Sequence, residues 1–301
     1  MKQSAGKRIG QLVLPRIEDA KIVAEPNGAG KGFWVGGASA TYDSEKECFY
    51  LFWRERVARE RGIKAVIARS EDGERYAPIW SVEKSELDAI SIERAALVKT
   101  EAGLYRLYIS YEDSDDNRWK IDVIEAPEPE GFRPASRRRV IEPEDLGVQW
   151  TKDPYVLKAG HLWYMYVHVR ELSGRKNTSL AVSDDGIAFR WLGKIMEGSG
   201  WDAYCVRLST VLHVAPMFFA FYDGATVEGE NCEERTGLMQ SFDLKHFERV
   251  TAADPILTSP EGSTSLRYVE ALPVHGGIRY WFEYCRADGS HDLRTVLSPG
   301  E

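Results

Sequence analysis

A run of alternating aromatic and aliphatic residues recurs five times in this chain, and this repetition constrains the fold more than any other feature. The runs span residues 48–53, 104–110, 162–167, 217–222 and 279–284. A second extended segment and a short turn precede each run, over residues 38–42, 95–99, 154–158, 207–212 and 268–274. Self-similarity at a fixed interval, here about 56 residues, indicates one repeated structural unit.

A polar turn ahead of an aromatic residue follows most of these pairs of segments. The turns contain Asp72, Asp185 and Asp243. Four short strands per unit, repeated five times with turns rich in Gly and Asp, are typical of a β-propeller. Two packed β-sandwiches are the alternative, but a sandwich gives no reason for a constant period.

The fifth unit is shorter than the others, since the chain ends soon after residues 291–297. We therefore expect the N-terminal segment, about residues 11–23, to supply the missing outer strand and to close the ring. The sequence thus predicts an all-β protein, a five-bladed β-propeller with four-stranded antiparallel blades. Residues 1–301 would form this single domain.

Composition narrows the possible partners and the location. A formal net charge of −8 disfavours nucleic acid and anionic membranes as partners. The first eight residues are followed by no apolar stretch, so we expect no signal peptide. Four cysteines lie too far apart for a CxxC metal or redox motif, and we expect free thiols in a cytoplasmic protein without metal or cofactor. These are Cys48, Cys205, Cys232 and Cys285.

In a propeller, the first strand of each blade lines a central channel, and the segments at its entrance can be read from the sequence. Four of the five units place a carboxylate there, and three place a tryptophan. The carboxylates are Glu93, Asp153, Asp202 and Glu270, and the tryptophans are Trp34, Trp150 and Trp201. Acids beside aromatic platforms suit sugar rings, which have apolar faces and hydroxyl edges.

Three segments resemble the five-bladed propeller glycoside hydrolases and phosphorylases, which include arabinanase/xylosidase, invertase/levansucrase and mannoside phosphorylase/mannosidase families. The segments are residues 92–97 before 105–108, Lys152-Asp153-Pro154 before 163–166, and Gly200-Trp201-Asp202 with 221–224. Arabinanases and invertases carry a catalytic Asp where this chain has Gly36-Gly37-Ala38. The mannoside-active branch also lacks that acid and fits better, although its usual second-blade Asp is replaced around Glu93-Arg94.

The resemblance implies a two-carboxylate, inverting cleavage of a short oligosaccharide or glycoside. We assign Glu93 as the general acid, Glu270 or Asp202 as the base, and Asp153 as the orienting and charge-stabilising residue. Candidate substrate-binding residues are Trp34, Arg94, Trp150, Lys152, Trp201, Arg207, Arg267 and His291.

Structural roles remain open for the same residues. Glu93 could pair with the neighbouring arginine, Asp153 could cap a turn, Asp202 could be a surface acid, and the arginines could simply neutralise the acids. A glycoside phosphorylase of the same fold, or a non-catalytic propeller that binds a carbohydrate or a protein, are therefore the alternative functions. The expected partner is a small carbohydrate.

Overall fold

The structure is a computed structural model that describes residues 7–230 and 232–300. The prediction about a signal peptide falls largely on residues 1–6 and lies outside these described residues. Among the described residues, helical structure is limited to one short α-helix, Pro143–Leu146, and six 3₁₀ turns. The turns are Ile17–Asp19, Lys84–Leu87, Pro129–Gly131, Pro134–Ser136, Gly200–Asp202 and Glu228–Glu230. None of these helices is long and apolar enough to cross a membrane.

Five groups of antiparallel strands follow three short N-terminal strands, so the fold is all-β as predicted. The N-terminal strands are β1 Arg8–Ile9, β2 Leu12–Val13 and β3 Lys21–Ala24. The first unit contains β4 Trp34–Asp43, β5 Cys48–Val57, β6 Glu60–Ser70 and β7 Ala77–Glu83. The second contains β8 Ala89–Ile92, β9 Ala96–Lys99, β10 Tyr105–Asp113, β11 Trp119–Ala126 and β12 Arg138–Ile141.

The remaining units have the same order. The third contains β13 Trp150–Ala159, β14 Leu162–Arg170, β15 Lys176–Ser183 and β16 Arg190–Met196. The fourth contains β17 Cys205–Val214, β18 Met217–Ala225, β19 Arg235–Ser241 and β20 Glu248–Arg249. The fifth contains β21 Leu266–Val274, β22 Gly277–Cys285 and β23 His291–Pro299. Successive strands within each unit pair antiparallel, except that β8 and β9 both pair with β10, and this is the connectivity that short turns allow.

The N-terminal segment joins the fifth unit, but through fewer residues than 11–23. Only β3 pairs with β23, in antiparallel register. Residues 12–14 instead insert side chains between the fourth and fifth units, where Leu12 and Leu14 are buried against Phe219 and Phe282. Pro15 follows directly and has no N–H to donate, so a continuous strand from residue 11 would lose a ladder hydrogen bond there.

The aspartate turns found in the sequence are one recurring structure. In the first of them, the Ser70 hydroxyl accepts from the N–H of Gly73, and Asp72 accepts from the next two N–H groups. Ser183 with Asp185, and Ser241 with Asp243, form the same bonds. Each side chain thus satisfies backbone donors that the tight turn leaves unpaired.

The hydrophobic core consists of five clusters, each between two consecutive units. Clusters join the first unit to the second, the second to the third, the third to the fourth, and the fourth to the fifth. The fifth cluster joins the last unit to the first and includes Trp281 and Leu293 against Leu51 and Trp53. Burial between sheets therefore follows a closed cyclic order.

The first strand of every unit is interrupted at the same place, and these interruptions position the candidate site. Register shifts occur between residues 36 and 39, 152 and 155, 208 and 210, and 267 and 270. In the second unit, residues 93–95 separate β8 from β9. Asp153 and Tyr268 at these positions adopt positive φ angles of 54° and 51°. A bulge of this kind disrupts the regular alternation of side chains between the two faces of a strand.

Candidate active site

A cavity of about 170 Å³ opens where the interrupted first strands of the five units come together. Every unit contributes to its wall. The lining residues are Arg54, Arg56, Arg61, Glu93, Trp119, Trp150, Lys152, His168, Arg170, Lys176, Arg207, Cys232, Glu234, Arg267 and Tyr268. Glu93, Trp150, Lys152, Arg207 and Arg267 were predicted from the sequence, and the structure brings these five together.

The wall of this cavity is strongly cationic, in contrast to the chain as a whole. It contains eight arginine and lysine side chains but only two carboxylates, Glu93 and Glu234. Burial lowers the pKa of His168 well below its ordinary value, and nearby Arg207, Lys152 and Lys176 lower it further. Burial also lowers the pKa of Lys176. Burial and the neighbouring cations therefore make a positive charge costly in this wall.

Glu93 lies in this cationic surrounding as an ionised carboxylate. Its Oε2 accepts a hydrogen bond from Arg54 Nε at 3.2 Å, and its Oε1 is 3.7 Å from Lys152 Nζ. Burial by itself would raise the pKa of Glu93, but Lys152 and Arg54 hold it at about 2, below its usual range. A general acid must carry a proton, so the cavity without a bound ligand does not hold Glu93 in the form that the sequence-based assignment requires.

Glu234 is the second carboxylate of the wall, and sequence analysis missed it. It accepts a hydrogen bond from Arg267 Nη1 at 2.6 Å and lies 3.7 Å from Arg207 Nη2. Burial would raise its pKa, but these two arginines hold the pKa below the usual range for a carboxyl. Glu234 is therefore also ionised.

Asp153 lies behind the wall and organises it. Its Oδ2 accepts from Arg207 Nη1 and from the Tyr268 hydroxyl, both at 3.2 Å, while its Oδ1 accepts from the backbone N–H of Arg94 at 3.3 Å. Arg207 also stacks over the Tyr268 ring, 3.7 Å from the ring centre. Asp223 binds the opposite edge of Arg207 at 2.8 Å. Asp153 thus holds two cavity residues in place.

Glu270 faces away from the cationic cavity, although it was predicted to share one mouth with Glu93. The bulge between residues 267 and 270 puts Arg267 and Tyr268 on the cavity side and Glu270 beyond it. There Glu270 lines a second cavity of about 290 Å³ and pairs with Arg94 Nη2 at 2.6 Å. Burial raises the pKa of Glu270 to about 7 despite this partner. The predicted residue Arg94 therefore serves Glu270 and not the cationic cavity.

Asp202 and Trp201 lie apart from both cavities, so the expected convergence of all four acids is wrong for Asp202. The 3₁₀ turn at 200–202 directs its carboxylate toward the backbone N–H of Ser199, the hydroxyl of Tyr222 at 2.7 Å and the guanidinium of Arg249 at 2.9 Å. Trp201 stacks on Tyr222, with ring centres 5.8 Å apart. These three partners satisfy both carboxylate oxygens of Asp202.

Trp34 and His291 lie behind the cavity wall and contact each other. Their rings stack with centres 4.8 Å apart, and the guanidinium groups of Arg56 and Arg267 also contact the Trp34 ring. His291 is fully buried. Burial would lower its pKa, but hydrogen bonds, including one to Cys285 and one to Glu233, raise the pKa to about 10. Neither ring forms an open platform for a sugar.

Several lining residues gave little signal in the sequence. Arg54 and Trp119 belong to strands that read as ordinary sheet, and Tyr268 was assigned only to a first strand. Glu234 follows Cys232 and Glu233 in the connection between β18 and β19. Only the cluster of acids at residues 233–234 could have drawn attention to that loop.

Similar proteins were found by comparison of structures and not by comparison of sequences. No protein-family model and no curated protein matches the sequence. A solved structure described as "Glycoside hydrolase" superposes with a TM-score of 0.72 at 10% identity, covering 94% of each chain. A glycosyl hydrolase from Bacteroides ovatus gives a TM-score of 0.65 at 12% identity, covering 99% of each chain.

A third similar structure is the Bombyx mori GH32 beta-fructofuranosidase BmSUC1, with a TM-score of 0.66 at 13% identity. The match covers 92% of this chain and 61% of the enzyme, so this chain spans less than two thirds of that enzyme's length. The chain therefore has the fold of the propeller glycoside hydrolases, as the sequence resemblance predicted.

Proposed function

We propose that this protein cleaves a glycosidic bond in the cationic cavity and that the ligand bound there includes an oxyanion. The shared fold of glycoside hydrolases supports the reaction class. The charge of the wall is the observation that carries the proposal, because eight cationic side chains surround only two carboxylates. Such a wall attracts phosphate, sulfate or carboxylate groups and is poorly matched to a neutral sugar alone.

Unsatisfied donors in the wall support an anionic ligand. Arg54 is 1% exposed, and its Nη1 has no hydrogen-bond partner among the described residues. The Nε atoms of Arg56 and Arg170 are also buried and unpartnered in the described chain. Buried donors without partners are costly, and an oxyanion would satisfy several of them at once. The anion is either free phosphate acting as a co-substrate or an acidic group on the saccharide.

Anion binding would also supply the missing proton donor. Lys152 and the arginines around Glu93 keep its pKa at about 2. An oxyanion that pairs with these cations weakens their effect on Glu93 and raises its pKa, because a second negative charge nearby disfavours ionisation. Glu93 then protonates the departing glycosidic oxygen. Glu234 activates the water in hydrolysis, whereas in phosphorolysis phosphate is itself the nucleophile. Asp153 is a positioning residue for Arg207 and Tyr268.

A non-catalytic carbohydrate-binding propeller is the second candidate, and one observation favours it. The acids near the centre each pair with an arginine: Glu93 with Arg54, Asp153 with Arg207, and Glu270 with Arg94. A site whose acids are permanently neutralised would bind an anionic saccharide without cleaving it.

We also propose that the five units form a single five-bladed propeller domain that β3 closes. The cyclic order of the core clusters and the pairing of β3 with β23 support this architecture. All four cysteines are free, as predicted, which supports a cytoplasmic location.

The test is a cleavage screen with two variables, the charge of the glycoside and the presence of inorganic phosphate. Neutral, uronate and phosphorylated oligosaccharides are incubated with and without phosphate, and the products are separated as free sugars or glycosyl phosphates. We expect cleavage only where an oxyanion is present. Equal cleavage of a neutral substrate without phosphate would refute the anion requirement. Tight binding without turnover in every condition would favour the second candidate.

The variant Glu93→Gln tests the proton donor. Loss of a general acid typically lowers the rate by about 10²–10⁴-fold, and oligosaccharides with poor leaving groups should suffer more than activated nitrophenyl glycosides. Glu125→Gln is the matched control, because Glu125 also pairs with an arginine, at 2.8 Å, but lies outside the cavity. Wild-type turnover by a folded Glu93→Gln variant would contradict the assignment.

A further inference from the structure

Three metal-ligand side chains meet directly behind the cavity wall, where the sequence predicted no metal. Glu233, Cys285 and His291 each offer one ligand atom, and these atoms lie within 4.8 Å of one another. All three residues are buried. Cys285 and His291 are cross-strand partners at the ends of β22 and β23, so the sheet register brings them together.

We infer that Glu233, Cys285 and His291 form a binding site for a divalent transition-metal ion of the zinc type. A thiolate, an imidazole and a carboxylate are each ligands that zinc takes in proteins, and three protein ligands leave a fourth position for water. Calcium and magnesium prefer all-oxygen sites and would not select a cysteine. The inference does not depend on the proposed reaction.

The surroundings of His291 match those of a metal-binding histidine. Its Nδ1 is hydrogen-bonded to Glu283 Oε1 at 2.8 Å, which directs Nε2 toward Glu233 Oε2 at 3.1 Å. A carboxylate on the far ring nitrogen is the usual way in which proteins orient a histidine ligand. The stacked ring of Trp34 holds the same orientation from one side.

The cations near the cluster bind mainly Glu283 and not the three ligands. Glu233, Glu283 and the Cys285 thiolate would supply three negative charges. The positive charges around them are Arg267, 2.6 Å from Glu283 Oε1, Arg54, 3.3 Å from Glu283 Oε2, and Lys31, 3.8 Å from Glu233 Oε1. The two arginines bind Glu283, which is not one of the three ligands, and Lys31 approaches the Glu233 oxygen other than the one that contacts His291.

The position of the cluster suggests what the metal would do. Glu233 belongs to the connection between β18 and β19, and its two neighbours, Cys232 and Glu234, line the cationic cavity. A metal that joins Glu233 to β22 and β23 would anchor this connection to the fifth unit. It would thereby hold Glu234 at the cavity wall.

Cobalt titration of the whole, chelator-treated protein tests the site. We expect one equivalent of Co²⁺ to bind with a thiolate charge-transfer band in the near ultraviolet, and Zn²⁺ to displace it and raise the melting temperature. Cys285→Ser should remove the charge-transfer band, and His291→Gln should weaken binding at least tenfold. Cys48→Ala is the control, because Cys48 is a buried cysteine of the first unit outside the cluster.

Results with the wild-type protein decide the matter even if a variant fails to fold. Absence of the thiolate band, or of any stoichiometric binding of Co²⁺ and Zn²⁺, would overturn the inference and leave the cluster as a hydrogen-bonded network. Retention of the band in folded Cys285→Ser would place the bound metal elsewhere and would also overturn it.

Discussion

Buried Glu270 should make the stability of this protein depend on pH within a narrow window. The side chain is 2% exposed, and it contacts Arg94 Nη2 at 2.6 Å and Thr210 Oγ1 at 3.4 Å. Burial raises its pKa from 4.5 to about 7, although the arginine opposes the shift. The folded protein therefore keeps a proton on Glu270 at pH values where the unfolded chain has lost it.

The sign and size of the effect follow from this difference. A raised folded-state pKa contributes stability that is fully present below the unfolded value, near 4.5, and is lost as the pH rises through 7. A shift of one pKa unit corresponds to about 1.4 kcal/mol, so a shift from 4.5 to about 7 corresponds to a loss of about 3 kcal/mol.

The variant Glu270→Gln isolates this contribution, because glutamine resembles the protonated acid but does not titrate. Urea unfolding of wild type and variant is measured between pH 4.5 and 8. We expect the free energy of unfolding of wild type, relative to the variant, to fall by about 3 kcal/mol across this range. The neighbouring Tyr155, whose pKa burial raises to about 12, does not titrate there, and an arginine stays charged throughout.

The refuting result is a difference between wild type and Glu270→Gln that stays constant from pH 4.5 to 8. That outcome would mean that Arg94 keeps the carboxylate ionised in the folded protein. The exposed Glu197→Gln variant is the control for general effects of removing one negative charge, and its difference from wild type should not follow the same curve.

Two further predictions concern packing. Trp281 is fully buried in the cluster between the fifth and first units, so Trp281→Ala should lower the free energy of unfolding by about 3–5 kcal/mol in urea titrations; a loss below 1 kcal/mol would contradict the closed order of the core. The Tyr280 hydroxyl donates to the carbonyl of Val13 at 2.7 Å, so Tyr280→Phe should cost about 1 kcal/mol and speed proteolysis near residues 12–14. Unchanged stability and cleavage would argue against docking of this segment.

The repeating strands could be predicted from local patterns. Alternating aromatic and aliphatic residues, followed by a Ser-x-Asp turn, depend on neighbours within a few positions, and the three turns form the same hydrogen bonds. Free cysteines were also predictable, because their spacing matched no pairing motif. The cavity residues Glu93, Lys152 and Arg207 were identified because each lies next to the predicted entrance of a first strand.

The orientation of the acids was decided by tertiary structure alone. A bulge or break in each first strand decides which side its residues face, so that Arg267 lines the cationic cavity while Glu270 lies on its far side. Asp202 looked like an entrance acid until its turn and Arg249 were seen to satisfy it.

The charge of the cavity was likewise decided by tertiary structure. The chain is acidic overall, but eight of its cations, from four of the five units, meet in one wall. Whether an acid there is protonated depends on Coulomb interactions between residues far apart in the sequence, such as Glu93 with Lys152 and Glu234 with Arg267. Those distances exist only after folding, since interactions between charges depend on separation and burial and not on order along the chain.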